Sequence, residues 1–168
     1  MCGSELQPLP EGVQRVAAVL AACGHAHTPV MLDSAARTAQ QAADALGVEL
    51  GQIAKSIIFR RLPDDAAVLV ITSGDRRVDE HKVQALVCQA GQSLGRASAE
   101  FVRARTGFAI GGVSPVGHVQ LPVTLIDEEL YRFDQIWAAA GHPHGVFLLS
   151  PQDLGVLTQA PVHDVTVR

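Results

Sequence analysis

The residues of this chain with the most chemical potential lie in Thr106-Gly107-Phe108-Ala109-Ile110-Gly111-Gly112-Val113-Ser114-Pro115-Val116-Gly117-His118. Paired glycines permit positive φ and close approach of backbone to a ligand, and Pro115 fixes its own φ and restrains Ser114. A strand over Phe108–Ile110 that empties into such a loop would present N–H groups with no side chains in the way. That is a cradle for an anion or a developing oxyanion, and equally the ordinary ending of a strand in a turn. Lys55 is one of two lysines and stands at the head of the apolar run Ser56-Ile57-Ile58-Phe59. Its ammonium either snorkels from a sheet edge or serves as a point charge for a phosphate. Asp127 ends another apolar run, where a carboxylate either caps the next turn or faces a site.

Other chemistries find less support. In Gly112-Val113-Ser114-Pro115-Val116 the proline removes the N–H that a nucleophile elbow uses in its oxyanion hole, which rejects a serine triad. The pairs His25/His27 and His142/His144 have the spacing to share a metal, but no further ligand cluster accompanies either, so they read as loop histidines and no metal or cofactor is expected. No glycine pattern matches a P-loop or a dinucleotide fingerprint. Cys2, Cys23 and Cys88, odd in number and widely spaced, read as reduced thiols, the latter two buried near helix ends.

The elements that position these residues follow from periodicity. Helices are expected over Glu11–Cys23, with Val13, Val16, Ala17 and Leu20 on one face, and over Thr38–Leu46, with Thr38 and Gln41 at capping-box spacing. Further helices are expected over Asp79–Cys88, from a Ser98 cap to Arg105, and from Ser150-Pro151 onward. Strands are expected at Val30–Leu32, Ser56–Arg60, Ala67–Thr72, Leu94–Ala97, Val123–Ile126, Gln135–Ala139 and Val146–Leu149, with an edge strand in Val162–Val167. Ala67–Ile71 is apolar at every position, which predicts a central strand covered on both faces. The fold class is α+β, with a mixed sheet. Residues 1–10 read as a loose tail and 11–168 as a single domain.

With 168 residues, 48% of them hydrophobic and 18% charged, the chain has enough length for a real core. No apolar run reaches the ~20 residues a membrane helix needs, and the first residues lack a signal-peptide pattern, so the expected location is the cytoplasm, away from any membrane. The net charge of −4 argues against a broad nucleic-acid surface and against DNA. Yet residues 55–105 hold nine of the thirteen Lys/Arg and only six of the seventeen Asp/Glu. A locally basic middle suits a focused contact with a few phosphates, or is simply scattered solvated charge.

The segments Ala36–Ala43, Gln52–Phe59 and Thr106–Pro115, in this order, resemble the YbaK/EbsC family, relatives of the editing domain inserted in bacterial prolyl-tRNA synthetases. Asp127 and the Trp137–Gly141 segment fall where that family would put them. The resemblance implies a mixed, barrel-like central sheet surrounded by helices, and hydrolysis of the ester linking a wrong amino acid to tRNA, in trans. It implies as partners the 3′ acceptor end of an aminoacyl-tRNA, and prolyl-tRNA synthetase as a deliverer of substrate. The family's lysine looks like Lys55, its Gly-x-x-x-Pro loop like Gly111 to Pro115, and its site aspartate like Asp127. Lys55, Gly111 and Asp127 are thereby the catalytic candidates. Ile58, Gly112, Val113, Ser114, Pro115 and Gly141 are the candidates for substrate binding, in a pocket for a small side chain such as that of alanine, cysteine, serine or 2-aminobutyrate. Residues 137–144 depart from the cysteine-specific members. The alternative is a tRNA- or nucleotide-binding module that kept the pocket without turnover.

Overall fold

The computed structural model describes residues 8–168; most of the expected tail therefore lies outside the described residues. Five helices, α1 (Glu11–Ala22), α2 (Ala39–Leu46), α3 (Glu80–Val87), α4 (Ala99–Thr106) and α5 (Pro151–Thr158), pack on one mixed sheet. Its strands are β1 (Val30–Met31), β2 (Ile53–Leu62), β3 (Ala66–Ser73), β4 (Ser93–Arg96), β5 (Val123–Asp127), β6 (Ile136–Ala139), β7 (Gly145–Leu149) and β8 (Val162–His163). The order is β1-β7-β6-β2-β3-β5-β8, with β4 branching from β2. The α+β class with a mixed sheet is the one the sequence indicates.

The helix ends follow from local chemistry. Thr38, Ser98 and Ser150 each accept a hydrogen bond from the amide three residues on, a cap worth about 1 kcal/mol apiece. Gly47 and Gly107 close α2 and α4 in the left-handed conformation that favours glycine. In β3, Val68, Leu69, Val70 and Ile71 are all fully buried, as expected of a strand covered on both faces. Leu69 and Ile71 pack beneath α1, α4 and α5 with Ala54 and Ile58. Val68 and Val70 pack on the other face with Phe59, Leu125 and the α3 residues Val83 and Val87. Each such side chain contributes roughly 1.5–3 kcal/mol on burial.

Two expectations are corrected here. Phe108–Ile110 is not a strand: Phe108 plugs the main core while Ile110 is 56% exposed, and the run is irregular. Cys23 caps α1 and is exposed, and Cys88 is only half-buried; both are free thiols.

Candidate active site

Side chains alternate along β2. Ala54 and Ile58 enter the main core, so Lys55 points to the opposite face with Ile53 and Ile57. Ile53 is covered there by α2 and Ile57 packs with the α3 cluster, which leaves Lys55 between the two patches. On one edge, β2 pairs with β6 only at Ile53–Trp137 and Ala54–Ala138, and with β4 only from Phe59 onward. Residues 55–58 therefore have no strand partner on that edge, and the sheet opens.

A cavity of about 230 Å³ occupies the opening. Its walls come from Arg37, Thr38, Ala39 and Ala42 at the start of α2, from Ile53 to Ser56 of β2, from Trp137, Ala138 and Ala139 of β6, and from Ile110, Gly111 and Val113. Lys55 forms no ion pair or side-chain hydrogen bond among the described residues. Partial burial pushes its ammonium below the usual lysine range, and the field of Asp75 opposes that shift without cancelling it. Asp75 is itself engaged by Arg132 at 2.9 Å. The Ser56 hydroxyl, on the cavity wall, is buried without a hydrogen-bond partner among the described residues.

The glycine segment is an Ω-loop rather than a strand end. Val119 N–H donates to the Thr106 carbonyl and Gln120 N–H to that of Arg105, so the chain leaves and rejoins α4 at one point. Arg15 of α1 staples both ends, its Nε 2.6 Å from the Gly117 carbonyl and Nη2 3.1 Å from that of Thr106, with its guanidinium over the Phe108 ring. Gly111 has φ +94°, open to glycine and strained for other residues. Gly112 is glycine for another reason: a Cβ there would lie 2.8 Å from the His142 backbone. The Gly112 amide closes a turn onto the Ala109 carbonyl, whereas those of Gly111 and Val113, both on the cavity wall, have no acceptor among the described residues.

Of the nine residues the sequence nominates, the structure brings Lys55, Gly111 and Val113 to one cavity. The other six do not line it. Ile58 is in the main core, and Gly112 supports the loop from behind. Ser114 is fully buried, its Oγ accepting from Val116 N–H and its carbonyl held by His118, and Pro115 is buried beside it. Gly141 packs on Gly12 of α1, where a Cβ would meet the Gly12 carbonyl at 2.5 Å. Asp127, fully buried, accepts from Glu129 N–H at 3.1 Å and Val165 N–H at 3.0 Å. It caps the turn after β5 and ties down the C-terminal segment, the first of the two roles its position allowed. His142 and His144 are also occupied in shaping their loop, Nδ1 of His142 accepting from His144 N–H and the His144 ring meeting the Leu32 carbonyl. Arg37, Ser56 and Trp137, which also line the cavity, lie in segments that carry the family resemblance but were not nominated as site residues. Arg37 was legible only as the residue before a helix cap.

Residues 33–156 match the family described as the aminoacyl-tRNA editing domain. The chain belongs to that family. A crystal structure provisionally described as a trans-editing enzyme for prolyl tRNA synthetase superposes on this editing domain with a TM-score of 0.87, at 40% identity over 96% of this chain and 100% of that one. The uncharacterized protein YwhH of Bacillus subtilis (strain 168) is 33% identical over 122 residues, 73% of this chain and 75% of its own. EbsC of Enterococcus faecalis, which carries the provisional name of a Cys-tRNA(Pro)/Cys-tRNA(Cys) deacylase, is 25% identical over 131 residues, 78% of each chain. The editing-domain cavity thus coincides with the residues that carry the YbaK/EbsC resemblance.

Proposed function

We propose that this editing domain is a trans-editing aminoacyl-tRNA deacylase that removes a small, wrongly attached amino acid, with tRNA-Pro as the carrier. The observation that carries the reading is that Lys55, Gly111 and Val113 line one small cavity, the lysine without an ion pair and the two amides without an acceptor among the described residues. Lys55 holds the terminal nucleotide through phosphate. The Gly111 and Val113 amides receive the carbonyl oxygen as it becomes an oxyanion. Water adds to the ester carbon, the C–O bond to the ribose breaks, and free amino acid and a ribose hydroxyl result. An aminoacyl ester is already activated, so positioning and oxyanion stabilisation suffice without a protein nucleophile. The amino-acid side chain lies against Ala138, Ala139 and Val113, in a space smaller than the ~300–1,000 Å³ of drug-sized pockets. The cytoplasm is the place of action, and prolyl-tRNA synthetase the source of the mischarged tRNA.

A second reading, a binding module without turnover, draws on one observation: the residues lining the cavity include no His, Cys, Asp or Glu. A panel of tRNA-Pro charged with alanine, cysteine, serine, 2-aminobutyrate or proline separates the two. The deacylase accelerates loss of at least one small amino acid, spares proline, and is disabled by Lys55→Ala. The module binds the tRNA through Lys55 and accelerates none.

A further inference from the structure

The cavity has a neighbour. A shallow, mainly apolar groove runs between α4 and the Ω-loop, formed by Ala99, Glu100, Arg103, Ala104, Ala109 and Ile110. Ile110 lies on the wall of both the cavity and the groove, so a strand leaving the first over Ile110 enters the second. Arg103 borders the groove and also a cleft on the far side of Ala109, shared with Arg15 and His142.

The groove's lining carries one cation, Arg103, and one carboxylate, Glu100, and no ion pair joins them. Six of the chain's thirteen Lys/Arg (Arg60, Arg61, Arg76, Lys82, Arg132 and Arg168) are held in ion pairs. Arg103 is in none among the described residues, and neither is Arg105, which bonds the neutral Gln120 and lies over Phe101. The groove's one carboxylate, Glu100, is in the first turn of α4, a turn back from Arg103.

An apolar floor beside a guanidinium in no ion pair suits a single-stranded nucleotide: apolar contact for the base and a cation for its phosphate. We propose that this groove seats the nucleotide preceding the terminal adenosine of the tRNA acceptor end, its base on Ala104 and Ile110 and its phosphate on Arg103. The inference rests on the deacylase reading and extends it from the ester to the strand that delivers it. Charge complementarity and continuity with the cavity single out this occupant over an apolar peptide, which would leave Arg103 unpaired.

The test compares two substrates carrying the same amino acid: the aminoacyl-tRNA that wild type hydrolyses fastest, and the matching aminoacyl-adenosine, which lacks the preceding nucleotide. Arg103→Gln and Ala104→Asp alter exposed positions on α4, so the fold is retained. Each raises KM for the tRNA about tenfold with kcat held, and treats the aminoacyl-adenosine as wild type does. Equal effects on both substrates, or none on either, overturn the proposal while leaving the deacylase reading standing. If wild type hydrolyses neither, that reading falls, and anisotropy with a labelled RNA ending in CCA decides the groove: Ala104→Asp weakens binding about tenfold if it holds, and leaves Kd unchanged if it does not.

Discussion

At the scale of single residues, Lys55 is held in a state that favours a ligand. Its folded pKa lies below the unfolded value, so between the two the unfolded chain binds more protons and stability rises with pH. The cost of burying the charge is fully present below the folded pKa and disappears above the unfolded one. Lys55→Met should therefore abolish deacylation while equalling or exceeding wild type in denaturant midpoint at pH 7, the difference vanishing at alkaline pH. A clear loss of stability in that variant would show that the ammonium has a structural partner. Asp127 should behave in the opposite way. Asp127→Ala leaves the Val165 and Glu129 amides unpaired and should cost about 1–3 kcal/mol, read as a lower urea midpoint. Deacylation per folded molecule should persist, and its disappearance would return the carboxylate to the chemistry.

The Ω-loop is the element on which the site depends, and it is built from behind. Gly112→Ala forces a methyl onto the His142 backbone. It should destabilise by about 1–3 kcal/mol and reduce activity, as measured by thermal unfolding and turnover together. His118 lies under the loop with one ring nitrogen 2.6 Å from the Ser114 carbonyl and its other, Nδ1, buried without a partner among the described residues. Burial lowers its pKa against the pull of that hydrogen bond, and Arg15 adds to the lowering. Stability is thus greatest above the unfolded histidine pKa and is lost as pH falls toward the folded one. Wild type should lose activity below about pH 6.5, and His118→Gln should flatten the stability profile there. An unchanged slope would place the acid sensitivity elsewhere.

How far this element could be read in advance depends on which forces shape it. Gly111 and Lys55 stood out because a positive φ and a lone lysine beside an apolar run are local signals. The strand expected at Phe108–Ile110 failed because a short apolar run has the same pattern whether it joins a sheet or drops one ring into the core. Ser114, Pro115 and Gly141 were nominated through the family resemblance, yet the Ω-loop buries Ser114 and Pro115, and Gly141 packs on Gly12 of α1. Ala39 and Ala42 read only as positions of the helix expected over Thr38–Leu46, and Arg37 as the residue before its cap, since nothing local says that the sheet opposite opens after Ala54. Helix caps at Thr38, Ser98 and Ser150 were legible because each is settled within four residues.

Over the whole molecule, burial and charge assign different jobs to different faces. The core beneath α1, α4 and α5 fixes β2 and β3, the forked edge of β2 leaves a cavity, and the Ω-loop closes one side of it. The cations concentrated in residues 55–105 divide into paired ones, such as Arg60 with Asp65 and Lys82 with Asp164, and ones in no ion pair among the described residues, Lys55 on the cavity wall and Arg103 on the groove among them. Only the unpaired set can exchange counter-ions for phosphates, so the basic excess counted in sequence overstates the surface available to RNA. The measurement that reaches the centre of this account is single-turnover hydrolysis of alanyl-tRNA-Pro by wild type and Lys55→Ala, with binding of the same tRNA followed in parallel. The account predicts rapid ester loss with wild type and a rate near that of buffer for the variant. Hydrolysis by Lys55→Ala at the wild-type rate would contradict it.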